Sequence, residues 1–156
     1  MNESKLDVKK RAVIEIAENL FLSQGLATTE MKEIARCASI SRSTLYRMFD
    51  SRETLAFAVA DKCLHELFDP KPMEIYGTDR SGFEILRSYS SNLIETMIQG
   101  VRYVKYLSEF DQMFSGDYPD TPEARKYVQF NRQRHDRQIL LNILRLGLSL
   151  IHISEP

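Results

Sequence analysis

The chain has 156 residues, and its 21 lysines and arginines against 22 aspartates and glutamates leave a net charge of −1. That balance argues against a protein that coats nucleic acid indiscriminately, while the length allows one or two small domains with a buried core. The two cysteines, Cys37 and Cys63, lack metal-ligand spacing, so free buried or half-buried thiols in a reducing compartment are expected, with no disulfide and no metal site.

In chain order the pattern is helical throughout, with no strand-like alternation. Residues 5–24 form a first helix that buries Ile14, Ala17, Leu20 and Phe21 and ends at Gly25, a normal residue just past a helix. A second, short helix is predicted from Met31 to Cys37, with Met31, Ile34, Ala35 and Ala38 as its apolar stripe. Ala38, Ser39 and Ile40 then make a tight turn, and Ser41 is a good N-cap for a third helix that buries Leu45 and Phe49. That leaves Arg42, Ser43, Thr44, Tyr46 and Arg47 on its outer side. Ser51 caps a fourth helix, residues 51–68, which carries Leu55, Val59, Cys63 and Leu67 on one face. It stops at Asp69-Pro70-Lys71-Pro72, where two prolines forbid continuation.

Beyond a loop at residues 73–82, a helix to residue 98 carries Phe83, Leu86, Ser90, Leu93 and Met97; Gly100 breaks it, and residues 101–114 form another. Residues 115–120 are a loop by composition. Thr121-Pro122-Glu123 starts the last helix, with an N-cap, proline in the first helical position and an acid in the first turn; it is predicted to reach about Leu146. The most apolar stretch, residues 139–153, is interrupted by Asn142 and Arg145 and is too short to span a bilayer; with no signal peptide in view, a cytoplasmic location is expected.

Two back-to-back short helices with an outward arginine and hydroxyl face fit a duplex. Arginine forks pair with guanine edges, and hydroxyls and a tyrosine tip bond phosphates. Arg42 and Ser43, at the start of the helix, are the candidate base readers; Tyr46, Arg47 and Arg52 are candidate backbone clamps, with Thr29, Lys32, Ser41 and Thr44 as further DNA-binding candidates. Arg36, Arg42, Arg47 and Arg52 face Asp50 alone in this stretch, a local basic surface on a neutral chain. On pattern alone an ordinary three-helix cluster with a solvated charged face competes with this reading.

These residues carry a resemblance. Gly25, Thr28-Thr29, Ile34-Ala35, Ile40-Ser41, Thr44-Leu45-Tyr46, Phe49 and Ser51-Arg52-Glu53-Thr54-Leu55 resemble the DNA-binding domain of the TetR/AcrR family of transcriptional regulators. Three positions depart from the family pattern: Ser39 stands where the turn usually has glycine, Leu26 where an aromatic usually follows Gly25, and Met48 where an aromatic or histidine usually precedes Phe49. The resemblance implies an all-α fold, with a helix-turn-helix domain at residues 1–50 followed by a partial helical effector-binding domain at 51–147. It implies a regulator, most simply a repressor, that binds a palindromic operator in double-stranded DNA as a homodimer and releases it on binding a small molecule. No cofactor and no enzymatic activity are implied. A helical protein-interaction module without DNA binding is the alternative.

Residues 148–156 resemble an in-frame translation of a transposase-end sequencing adaptor and are expected to be non-native, although an apolar helix end is the other account. Family members typically continue with helices that build the dimer, so this chain is expected to lack them and to associate poorly. The aromatic stripe Tyr103, Tyr106, Phe110, Met113 and Phe114, with Tyr127 and Phe130 on the next helix, is plain core packing or the wall of an effector pocket; Glu109, Asp111 and Gln112 are its candidate polar groups. The basic residues Arg125, Lys126, Arg132, Arg134 and Arg137 read as a solvated face, and His65 and His135 as structural or exposed.

Overall fold

The computed structural model describes residues 4–68, 82–116 and 118–133. The helix stop after Phe68, the loop that follows, Arg134, His135 and Arg137, the extension of the last helix and the 148–156 tail lie outside the described residues. Within them the fold is all-α: α1 (Lys5–Gln24), α2 (Met31–Cys37), α3 (Arg42–Met48), α4 (Arg52–Phe68), α5 (Gly82–Gln99), α6 (Val101–Phe114) and α7 (Pro122–Gln133).

Local chemistry sets the boundaries. Ser4 and Asp7 form a reciprocal capping box at the start of α1, and the acid that completes it has its pKa lowered, first by the Ser4 hydroxyl. Gly25 ends that helix at φ +96°, where a side chain would be strained, and its N–H returns to the Phe21 carbonyl. Thr121 caps α7 by accepting the Ala124 N–H at 3.2 Å, as the Thr-Pro-Glu start implies. Gly100 separates α5 from α6 because the chain passes tightly there: a Cβ would collide with Leu67 Cδ2.

The core is organised around α4. From Thr54 to Ala60 every side chain of α4 is buried, with the small Ala56, Ala58 and Ala60 letting neighbours close in. Sequence pattern gave α4 one apolar face; in the fold it is surrounded by α1, α6 and α7. Phe57 is the hub, with Phe110, Tyr127, Tyr118 and Phe114 rings centred 4.8 to 5.7 Å away. Edge-on and tilted contacts of this kind add to the area they bury. Cys63 is buried, which pushes its thiol up to about 12, whereas Cys37 is exposed, contrary to expectation. Its place at the last residue of a short surface helix explains the difference.

Helix α5 departs most from the sequence reading. Its buried residue is Tyr89, while Phe83, Leu86 and Met97 from the predicted face are exposed. The helix is apolar on more than one side, with Ile85, Tyr89, Ile94 and Ile98 outside the chosen stripe, so periodicity could not select the packed face.

Candidate nucleic-acid interface

Helix α2 has the predicted bounds, and α3 starts after its predicted cap Ser41 and ends before Phe49, which is extended. The two cross over a turn held by backbone bonds: Ser39 N–H to the Arg36 carbonyl (3.1 Å) and Ile40 N–H to the Ala35 carbonyl (3.0 Å). Ser39 sits at φ +53°, the left-handed position for which glycine is the usual residue. Ser41 caps α3 by accepting the Thr44 N–H at 3.1 Å, and its hydroxyl also bonds those of Ser43 and Thr44. The unit is seated on Ile34, Ala35, Leu45, Met48 and Phe49, all buried. Leu26 and Met48, which with Ser39 are the three departures from the family pattern, are buried as well.

On the opposite side of α3, Arg42, Ser43, Tyr46 and Arg47 are exposed. Arg42 and Tyr46 lie one turn apart, as do Ser43 and Arg47, so the four form two parallel rows on one face. Tyr46 keeps 45% of its surface open despite being a large ring. Thr44 is half-buried, its hydroxyl engaged with Ser41.

Three other candidates are placed differently from one another. Thr29 is fully buried and donates its hydroxyl to the Gly25 carbonyl at 2.8 Å, so its side chain is withdrawn from any ligand. The burial follows from its role in closing the loop after Gly25. Lys32 is exposed and paired with Glu30 at 2.8 Å. Arg52 donates from Nη1 to the Ala27 carbonyl at 3.2 Å, which ties α4 to the loop before α2. Ser51 caps α4 through the Thr54 N–H, as expected.

Sequence reasoning missed Glu30. It stands at the N-cap of α2, and Lys32, and more weakly Arg42, hold its carboxyl below the ordinary value. A search for basic side chains passes over an acid between them; the signal was its place just before a helix start.

The aromatic stripe is mostly core. Tyr106 and Phe110 are buried, Tyr103 and Phe114 pack against the core, and Met113 is exposed. The Tyr106 hydroxyl donates to the Ala56 carbonyl at 3.0 Å, and burial raises its pKa well above the ordinary range. A separate groove of about 670 Å³ lies among α4, α6 and α7, with Leu64, Leu67, Phe68, Leu107 and, from α5, Met97 as apolar walls and Asp111 and Gln112 at hand. Of the six predicted pocket residues only Tyr127 lines it. Glu109 points elsewhere, to the Ala27 N–H at 3.1 Å.

His65 is exposed, stacks on Phe130 with ring centroids 3.7 Å apart, and contacts the Asp61 carbonyl, a structural arrangement. Arg125 pairs with Asp120 at 2.8 Å, and Lys126 and Arg132 are solvated. Among the described residues no cluster of histidine, cysteine and acids is placed to hold a metal, and no helix is long and apolar enough to cross a membrane.

Comparison with known proteins converges on the same segment. The profile for bacterial regulatory proteins of the tetR family matches residues 13–59. An HTH-type transcriptional regulator of Mycobacterium tuberculosis is 50% identical over 46 residues, covering 30% of this chain and 23% of that protein. The HTH-type transcriptional repressor KstR2 of Rhodococcus jostii is 33% identical over 60 residues, covering 38% of this chain and 29% of the repressor. The match thus spans about a quarter of the length of these relatives. Among solved structures, the ketosteroid transcriptional regulator KstR2 of Mycobacterium tuberculosis has a TM-score of 0.60 at 20% identity, covering 96% of this chain and 70% of that one. A tetR family transcription regulator from Shewanella sp. PV-4 has a TM-score of 0.54 at 21% identity, covering 90% and 70%. At these identities the structural likeness concerns the fold.

Proposed function

We propose that this chain, whose N-terminal third belongs to the TetR family of bacterial regulatory proteins, reads double-stranded DNA through the outward face of α3 and thereby regulates transcription. The observation that carries the reading is the division of α3: Leu45 and Met48 are buried while Arg42, Ser43, Tyr46 and Arg47 stand in two exposed rows. A helix-turn-helix laid in the major groove meets base edges with the first residues of its second helix, which assigns base reading to Arg42 and Ser43. Tyr46, Arg47 and Lys32 then contact the phosphate backbone, and Arg52 acts by holding the loop before α2. Residues 1–50 form the DNA-binding unit and 51–147 the regulatory one.

Two copies of the protein would bind a near-palindromic operator, with half-sites about one helical turn or a multiple apart. A small molecule in the groove among α4, α6 and α7, favouring a geometry that fits DNA poorly, would release the operator and make the protein a repressor. Couplings of about 1–3 kcal/mol suffice for such a switch. Helix α4 is the expected transmitter, because Arg52 in its first turn holds the loop before α2 and the helix packs against α1 on one side and α6 and α7 on others.

In vitro selection from random duplexes tests the reading. Recovered sequences should share a half-site, and affinity should fall steeply with salt, since log K declines by about 0.9 per neutralised phosphate for each unit of log salt. Recovery of no duplex, together with salt-insensitive capture of a protein partner, would favour an interaction module instead.

A further inference from the structure

The loop between α1 and α2 is gripped from two sides at one residue. The Ala27 N–H donates to Glu109 Oε1 of α6 at 3.1 Å, and the Ala27 carbonyl accepts from Arg52 Nη1 of α4 at 3.2 Å. Thr28 and Thr29 close the same loop internally, bonding the Gln24 and Gly25 carbonyls. The Glu109 contact joins residues 82 positions apart in sequence. Its helix has two occupied sides: Leu107, Ser108, Asp111 and Gln112 line the groove, while Glu109 reaches the loop that leads into α2.

We infer that Glu109 is a positioning residue for DNA recognition, anchoring the Ala27 loop to α6 so that a shift of α6 by a groove occupant moves the helix pair. The inference rests on the DNA-reading function proposed above. A carboxylate is a costly choice for a mere packing contact in a protein that binds a polyanion. Removing its charge alone strengthens DNA binding, whereas removing the anchor weakens it. The two effects have opposite signs, and two variants separate them: Glu109→Gln loses the charge but keeps an oxygen that can accept the Ala27 N–H, and Glu109→Ala loses both.

The test measures amide exchange at Ala27 and affinity for a selected duplex, on the full chain and both variants. Glu109→Ala should speed Ala27 exchange by about tenfold. It should also weaken duplex binding by about fivefold, in spite of the lost negative charge. Glu109→Gln should restore Ala27 protection and bind at least as well as the parent chain. Unchanged Ala27 exchange in Glu109→Ala, or equal gains in affinity for both variants, would overturn the inference. If the parent chain selects no duplex, the DNA reading fails, and the Ala27 exchange still decides whether the anchor exists.

Discussion

The helix pair α2–α3 and helix α5 are both rich in apolar residues, yet one is seated and the other is largely open. In the pair, Ile34 and Leu45 have no exposed surface and Phe49 just beyond has 1%. In α5, Phe83 is 74% exposed, Ile98 69% and Ile94 59%. The pair has a cap at Ser41, a turn fixed by backbone bonds and a single apolar stripe on each helix. Helix α5 has apolar side chains on several faces. What separates the two is agreement between local signals and packing, and hydrophobic content alone does not supply it.

Core truncation should widen this contrast most. Leu45→Ala should cost about 2–5 kcal/mol, whereas Ile98→Ala should change stability by about 0.5 kcal/mol or less; urea denaturation measures both. Comparable losses would erase the distinction between the regions. Next in size, Arg42→Ala should weaken binding to a selected duplex by about 1–3 kcal/mol and relax preference at one base pair of each half-site. Tyr46→Phe should instead weaken all sequences evenly, so an even loss in Arg42→Ala would reverse the assignment of base and phosphate contacts. Ser41→Ala removes the α3 cap and should cost about 1 kcal/mol, read in the thermal midpoint and in amide exchange within α3.

Asp61 on α4, outside both regions, offers a pH test. Burial raises its pKa above the ordinary 3.8, and its Oδ1 has no hydrogen-bond partner. The folded state therefore holds this proton more tightly than the unfolded state, and stability declines as pH rises from about 3.8 through the raised value. Asp61→Asn should stabilise the fold near neutral pH by about 1 kcal/mol or less given partial exposure, read in urea denaturation, and change little at pH 3. A loss at neutral pH would mean that attraction from His65 and Lys126 outweighs burial. The smallest effect belongs to Ser39→Gly, which relieves the φ +53° position and should add a few tenths of a kcal/mol. A loss there would show that the serine side chain supports the turn.

Much of the fold was legible because its signals are local. The bounds of α1, α2 and α6 follow from Gly25, the spacing of Met31 and Ile34, and Gly100, and they need no knowledge of distant contacts. The outward face of α3 was legible for the same reason. Features that depend on long-range packing were not. Thr29 reads as a polar interface residue but turns inward onto Gly25, and Tyr106 and Phe110, which read as core packing with a pocket wall as the other account, are assigned to the core only once α4 is seen against them. Glu109 reads from sequence as a polar group of the pocket but turns to the Ala27 loop, because its partner is a backbone amide 82 residues away. The groove draws its walls from successive turns of α4, α6 and α7 together with Met97 of α5, a pattern that no single stretch displays.

The central claim is that the exposed rows of α3 meet the duplex. It is tested most directly by amide chemical-shift mapping of the chain titrated with duplex DNA at low salt, a method that registers even weak binding by a single copy. The account predicts shifts concentrated at residues 41–48, with a second group at residues 27–32 and 52, and little change in α7. Shifts confined to α7, or no shift in α3 at saturating duplex, would contradict it.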